Sequence, residues 1–371
     1  MSALINPVQE PVVPYIINHD IIRCTADGVV GNHLYSARAL GISFPWDMIQ
    51  LHPDLKILWD DICHHYANVG LRHTHKVIWD INPDRLGKHI GFYPSVFYFG
   101  PEEFKHWGDN AWLETVEYIN SKNNFIELAH ELSVPVPHTD CFSDVGQITS
   151  SYFQQLDFPC YFKAAISVSG VGIFKCNNKN EFLIAMGQFE KGVPIQVQEQ
   201  IETATFLNMQ YKATNNGVER LCASEQILNG FEHQGNRFPT RYQPWHIVDS
   251  MADKLYEMGI KGIFAFDVAV LETDSETRFS VIECNPRFNG ATYPTLIAEK
   301  LGIPKWTAIN LSTKHRTLKE INLSDLEYDS TTGEGLVVIN WGTILEGKIA
   351  VLLAGSPEYQ EVLTVELASR L

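Results

Sequence analysis

The chain has 371 residues, 45% apolar and 19% charged, a globular balance with length for two to three domains and a sizeable core. Its 28 Lys and Arg stand against 44 Asp and Glu, a formal charge of −16. That excess lacks the clustered cations a nucleic-acid partner requires, and a polyanionic substrate would have to be met by local cations or metals. No stretch reaches the ~18 apolar residues of a membrane span, Met1–Glu10 lacks a basic region followed by an apolar run, and the seven Cys form no CxxC pair. The expectation is a cytoplasmic protein with no nucleic-acid or membrane partner, no disulfide framework and no zinc ribbon.

In chain order, Val12–Cys24 reads as a strand region, Asn32–Gly41 as a short helix, and Lys76–Ile81 and Ser95–Phe99 as strands of a small α/β unit. Cys63-His64-His65 and His73-Thr74-His75 fit no zinc spacing and read as core or surface histidines. Phe125, Leu128, Ala129 and Leu132 follow helical spacing, stopped at Val134-Pro135-Val136-Pro137. Pro159–Ile166 and Val171–Cys176 read as strands around a small-residue loop, and Lys179–Phe189 as a helix. Val193–Ile201, Phe206–Ala213 and Arg220–Ile227 are further strands, and Trp245–Met258 is a helix ending at Gly259. Gly262–Leu271 and Arg278–Asn285 are strands, and Thr292–Leu301 is a helix closed by Gly302. Gly335–Trp341 and Ile349–Leu353 form a late hairpin around Glu346-Gly347-Lys348, with a helix from Pro357. The middle of the chain is antiparallel-rich α+β rather than a repeating βαβ wheel.

The segment Gly262–Gly290 carries the chemistry. A turn at Thr273-Asp274-Ser275-Glu276, centred on residue 275, sets Asp267 opposite Glu283, with Asn285 on the same face. Phe266, Val268, Val270, Ile282 and Cys284 fall on the other, apolar face. Two opposed carboxylates repel, and a divalent cation resolves the conflict: Asp, Glu and Asn offer hard oxygen ligands of the kind magnesium takes together with phosphates. Arg287 adds a planar donor suited to phosphate.

Asp267 followed by Glu283-Cys284-Asn285-Pro286-Arg287 and Gly290 resembles the D…ExNPRxxG signature of the ATP-grasp superfamily. In that family the acids and Asn hold Mg²⁺ on ATP (Mn²⁺ can substitute) and the Arg touches the transferring phosphate. Upstream elements resemble the family's in order over about residues 120–312. Lys163, feeding Ser167-Val168-Ser169-Gly170-Val171-Gly172, is similar to its phosphate-binding lysine and loop, with Ala164 where Pro is frequent. The small residues let backbone N–H groups approach an anion. Lys122 is similar to a second phosphate lysine, with Ser121 in place of the usual Asp. Glu199 and Ile201 match the hinge that reads adenine, and Glu202 the ribose acid. Glu225-Gln226 through Pro239 resembles the variable loop, where Arg237 and Arg241, with Asn289 beyond, are substrate candidates.

The resemblance implies an ATP-grasp fold of two α+β lobes preceded by a small α/β pre-ATP-grasp domain. Residues 1–115 would form that domain, 116–325 the ATP-grasp domain with a mobile lobe near 135–200, and 326–371 a C-terminal hairpin and helix. The layout is similar to peptide ligases of the pheganomycin-ligase type. It implies an ATP- and Mg²⁺-dependent carboxylate–amine ligase working through an acyl phosphate on small-molecule substrates, an amino acid or peptide among them. Lys163 and Arg287 are the catalytic candidates. A carboxylate–thiol ligase loading a carrier protein, or a nucleotide-binding module without catalysis, are the alternatives, and a homodimer is compatible with any of them.

Overall fold

The computed structural model describes residues 13–25, 30–88, 91–167, 172–230 and 232–371. The N-terminal strands are β1 (Tyr15–Asn18), β2 (Met48–Gln50), β3 (Val77–Ile78) and β4 (Tyr93–Val96), paired in parallel in the order β3-β2-β1-β4. The expected helix at Asn32 is a 3-10 helix, Asn32–Ala39. Several elements have no counterpart in the sequence reading, β2 and the helix Trp59–Asn68 among them. β2 is only three residues long, too short to show a period. The helix Trp59–Asn68 hides because His65 occupies one of its buried positions, beside Ile62 and Tyr66. His65 is a satisfied core residue: Nδ1 lies 2.7 Å from Glu327 Oε1, and Nε2 accepts the Val338 N–H at 2.9 Å.

The second sheet comprises β5 (Thr139–Phe142), β6 (Cys160–Ala164), β7 (Ile173–Cys176) and β8 (Ile195–Glu199), antiparallel in the order β5-β8-β6-β7. The helix Lys179–Met186 begins at Asn178, whose side chain accepts the Asn180 and Glu181 N–H groups. It seals a small core of its own, with Phe162, Phe182, Ile195 and Val197 fully or nearly buried.

The third sheet is antiparallel throughout: β9 (Phe206–Thr214), β10 (Gly217–Asn229), β11 (Glu232–Phe238), β12 (Gly262–Glu272), β13 (Thr277–Asn285), β14 (Trp306–Ser312), β15 (Gly335–Asn340) and β16 (Lys348–Ala354), in the order β13-β12-β9-β10-β11-β14-β16-β15. The expected variable loop through Pro239 is thus mostly regular strand, β10 into β11. The residues of β9 and β12 that alternate away from Asp267, namely Leu207, Met209, Tyr211, Phe264, Phe266 and Val268, pack with the helices Asn110–Asn120, Lys122–Glu131 and Trp245–Met258. Trp245–Met258 and Thr292–Leu301 fall where the periodicity predicts, each closed by a glycine at positive φ. The late hairpin also forms, joined by a 3-10 turn Gly342–Glu346. Its core is continuous with the N-terminal unit: Leu34, Leu40, Tyr66, Trp341 and Leu352 share one cluster, and Tyr66 donates to the Val338 carbonyl at 3.1 Å. Among the described residues no helix is long and apolar enough to cross a membrane.

Candidate active site

The β12–β13 hairpin closes through Thr273 N–H to the Glu276 carbonyl at 2.9 Å, and its register sets Asp267 directly against Glu283 and Ala265 against Asn285. The register then slips by one residue, so Val268 faces Val281 and Ile282 is the bulged residue. The apolar face is corrected accordingly. Val281 is fully buried there, while Ile282, expected in that face, is only half-buried.

Asp267 is held by side-chain amides on three strands. Asn208 and Gln226 donate to Oδ1 at 2.8 and 2.6 Å, and Asn285 donates to Oδ2 at 2.9 Å. Burial and the facing Glu283 push its carboxyl above the ordinary range, and the Asn208 and Asn285 amides and Arg287 offset this only in part. Burial would raise Glu283 as well, but Lys122, Lys163 and Arg287 together pull it below its ordinary value. The Lys122 ammonium lies 3.2 Å from Glu283 Oε2. Lys122 opens its helix, and its backbone N–H donates to the Ala165 carbonyl at 2.7 Å, tying that helix to the loop beyond β6. Lys163 points from β6 with 5% exposure and donates to Gln198 Oε1 at 2.9 Å. Burial lowers its ammonium to about 8, against the pull of Glu283.

Lys122, Ser167, Glu283, Asn285 and Arg287 line one cavity of about 60 Å³, with Asn120 and Ile173. A larger cavity of about 500 Å³ adjoins it, sharing Asn120, Ser167 and Arg287 and reaching Gly172 and Tyr98. Ser169, Gly170 and Val171 lie outside the described residues. A Cβ at Gly290 would stand 2.7 Å from the His233 ring, so a larger residue there would have to displace that ring.

The structure does not bring every candidate to these cavities. Glu199 accepts the His138 N–H at 2.7 Å and is exposed at the end of β8, and Ile201 and Glu202 line neither cavity. Arg237 is in register with Glu225 and paired with it. Strand alternation puts that pair on the face opposite Gln226 and Asn236, away from Asp267. Arg241 is exposed, 3.4 Å from Glu272 beyond the site. Asn289 accepts the Ala291 N–H at 2.9 Å, and its amide reaches Asn208 Oδ1 at 3.4 Å, so it supports the amide network from below.

No protein-family model and no curated relative matches the sequence. Solved structures do. N5-carboxyaminoimidazole synthetase from Staphylococcus aureus complexed with ADP aligns at TM-score 0.62 with 12% identity over 96% of each chain. An ADP complex of N5-carboxyaminoimidazole ribonucleotide synthetase aligns at 0.63 and 12% over 97% of each chain. The N5-carboxyaminoimidazole synthase of Aspergillus clavatus, with ADP and 5-aminoimidazole ribonucleotide, aligns at 0.56 and 11% over 96% of this chain and 98% of that one. This chain has the ATP-grasp fold. In this ATP-grasp fold the carboxylates come from the eight-stranded sheet and Lys163 from the four-stranded one. Asn208 and Gln198 escaped the sequence reading, although each left a signal, a carboxamide at a buried position of an apolar strand, as in Phe206-Leu207-Asn208-Met209; Gln226, only half-buried on β10, left none as a site residue.

Proposed function

We propose that the chain is an ATP-dependent ligase that joins a carboxylate to an amine through an acyl phosphate, releasing ADP and phosphate. The observation that carries this is the half-buried, directly opposed pair Asp267 and Glu283, flanked by Asn285 and faced by Lys122, Lys163 and Arg287. Two carboxylates in cross-strand contact, one already shifted upward, are a donor set short of positive charge, and a hard divalent ion fits it. Asp267, Glu283 and Asn285 would hold Mg²⁺, which supplies charge neutralisation on nucleotide phosphates. The ADP complexes of the structural neighbours support a nucleotide ligand for this fold.

The chain's own residues then have separable tasks. Lys163 and Lys122 neutralise phosphate oxygens, and the Gln198 contact aims Lys163 into the site. Arg287 meets the charge that develops on the transferring phosphoryl group. A substrate carboxylate oxygen attacks the γ-phosphorus and ADP leaves. The amine nitrogen then attacks the acyl carbon, phosphate leaves, and the amine gives up a proton. Ser167, beside the small-residue loop, borders the space where water must be excluded to protect the acyl phosphate. Joining an amino acid or peptide, as in peptide ligases of the pheganomycin-ligase type, is the finer form of this proposal. ADP and phosphate release that requires Mg²⁺ and two organic substrates is the expected result. AMP and pyrophosphate would contradict the acyl-phosphate route. Turnover only with a carrier-protein thiol would replace the amine by a thiol.

A further inference from the structure

Arg38, on the 3-10 helix Asn32–Ala39, is 8% exposed and boxed by aromatic rings. Its guanidinium carbon lies 5.2, 4.7 and 4.4 Å from the centroids of Tyr35, Phe97 and Tyr293. Tyr293 is fixed in turn by His19, whose Nδ1 is 2.9 Å from its hydroxyl. Rings attract the cation through its faces, and the guanidinium also hydrogen-bonds the Tyr293 side chain, but two of its in-plane nitrogens stay unanswered. Nε and Nη2 are buried and meet no hydrogen-bond partner, and among the described residues no carboxylate forms an ion pair with Arg38. An arginine does not shed its charge when buried, so an unpaired one is costly unless something brings an anion to it.

Arg38 and Asn340 line one cavity of about 240 Å³, smaller than the ~300–1,000 Å³ of drug-sized sites. Asn340, at the end of β15, is 6% exposed, and its Oδ1 is likewise buried without a partner. The two orphans are complementary to one chemistry. Nε and Nη2 form the side-on edge of the guanidinium, which takes both oxygens of a carboxylate. Asn340 Oδ1 accepts an N–H. The cavity shares no lining residue with the two cavities of the candidate active site, but a single ring separates Arg38 from Arg287. Arg38 and Arg287 share the Phe97 ring at 4.7 and 5.5 Å from its centroid, which bounds the two guanidinium carbons at about 10 Å apart. Extended peptide spans ~3.3–3.6 Å per residue, so a dipeptide or tripeptide covers that distance.

We propose that this cavity anchors the C-terminal carboxylate of a short peptide, with its last amide N–H on Asn340, so that the N-terminal amine reaches the Arg287 side as the acceptor. The inference rests on the ligase reading for the role of that amine, but the pocket itself can be tested alone. The set of standard dipeptides is titrated by thermal shift against the full chain saturated with Mg²⁺ and ADP, and the best binder is compared with its C-terminal amide. Binding that weakens about 10- to 100-fold on amidation, and equally in Arg38→Gln, is expected, with ADP affinity unchanged and Arg38→Lys in between. No dipeptide binding, or binding indifferent to amidation, overturns the proposal. If Arg38→Gln does not fold, the acid-against-amide comparison on the natural chain still decides. If Arg38→Gln melts higher and binds every peptide as before, the cavity is a water pocket and the proposal fails. Dipeptide binding without any ADP formation would refute the ligase reading and leave the pocket standing. ADP formation with acceptors indifferent to Arg38→Gln would do the reverse.

Discussion

The two sheets that meet at the candidate site hold their charges in different ways. On the eight-stranded sheet, Asp267 is clamped by amides from Asn208, Gln226 and Asn285 on β9, β10 and β13. On the four-stranded sheet, Lys163 makes one side-chain hydrogen bond among the described residues, to Gln198, and the sheet rests on a small satellite core. The anionic half is over-determined by packing across many strands. Lys163 sits on a unit with little buried apolar surface, the kind that opens at lower free-energy cost, whereas Lys122 and Arg287 belong to the large-sheet side. A divalent cation and a polyphosphate between them would therefore be positioned by the large sheet and gripped by the small one.

That contrast can be broken most severely at the charges themselves. Glu283→Gln and Lys163→Ala are each expected to cut ADP formation by roughly 10³-fold or more, with the circular-dichroism spectrum retained. Full activity in either variant removes that residue from the site. The next effect is in packing. Phe182→Ala is expected to cost about 3–5 kcal/mol, read by hydrogen exchange as lost protection over 139–199 while the eight-stranded sheet stays protected. Loss of protection in both would show that the sheets unfold as one. Asn208→Ala should cost about 1–3 kcal/mol by leaving Asp267 short of a donor, measured from the denaturant midpoint, and should do less harm with Mg²⁺ present.

The smallest effect is in pH. Asp267, raised in the folded chain, stabilises it at low pH, and that contribution is lost as pH climbs from the ordinary carboxylate value near ~4 through the raised one. Glu283, depressed, contributes above its ordinary value and loses that contribution as pH falls through its folded value. The Mg²⁺-induced rise in melting temperature should therefore grow with pH across the Asp267 window. ADP affinity should fall as pH passes about 8, where Lys163 gives up its proton.

Much of this was legible because the hairpin obeys local rules. A polar turn and period-two alternation fix a register, and that register alone opposes Asp267 and Glu283. The bulge at Ile282 was not legible, since a one-residue slip leaves no mark in composition. Long amphipathic helices such as Trp245–Met258 stood out, whereas β2 has too few residues to show a period. β11 reads as loop because Glu232-His233-Gln234-Gly235-Asn236-Arg237 has no apolar face to mark a strand. Arg237 shows the limit of residue type as evidence. A guanidinium in the right stretch of chain is still on the wrong face of its strand. Arg38 shows the converse: nothing in its neighbourhood of sequence marks it, and only the fold brings three rings around it.

The central claim is that Asp267 and Glu283 hold a divalent cation against nucleotide phosphates, and calorimetric titration of ADP tests it most directly. Tight binding that requires Mg²⁺ in the natural chain, and is lost in Asp267→Asn with the fold intact, is the expected result. ADP binding indifferent to both Mg²⁺ and Asp267→Asn would contradict it.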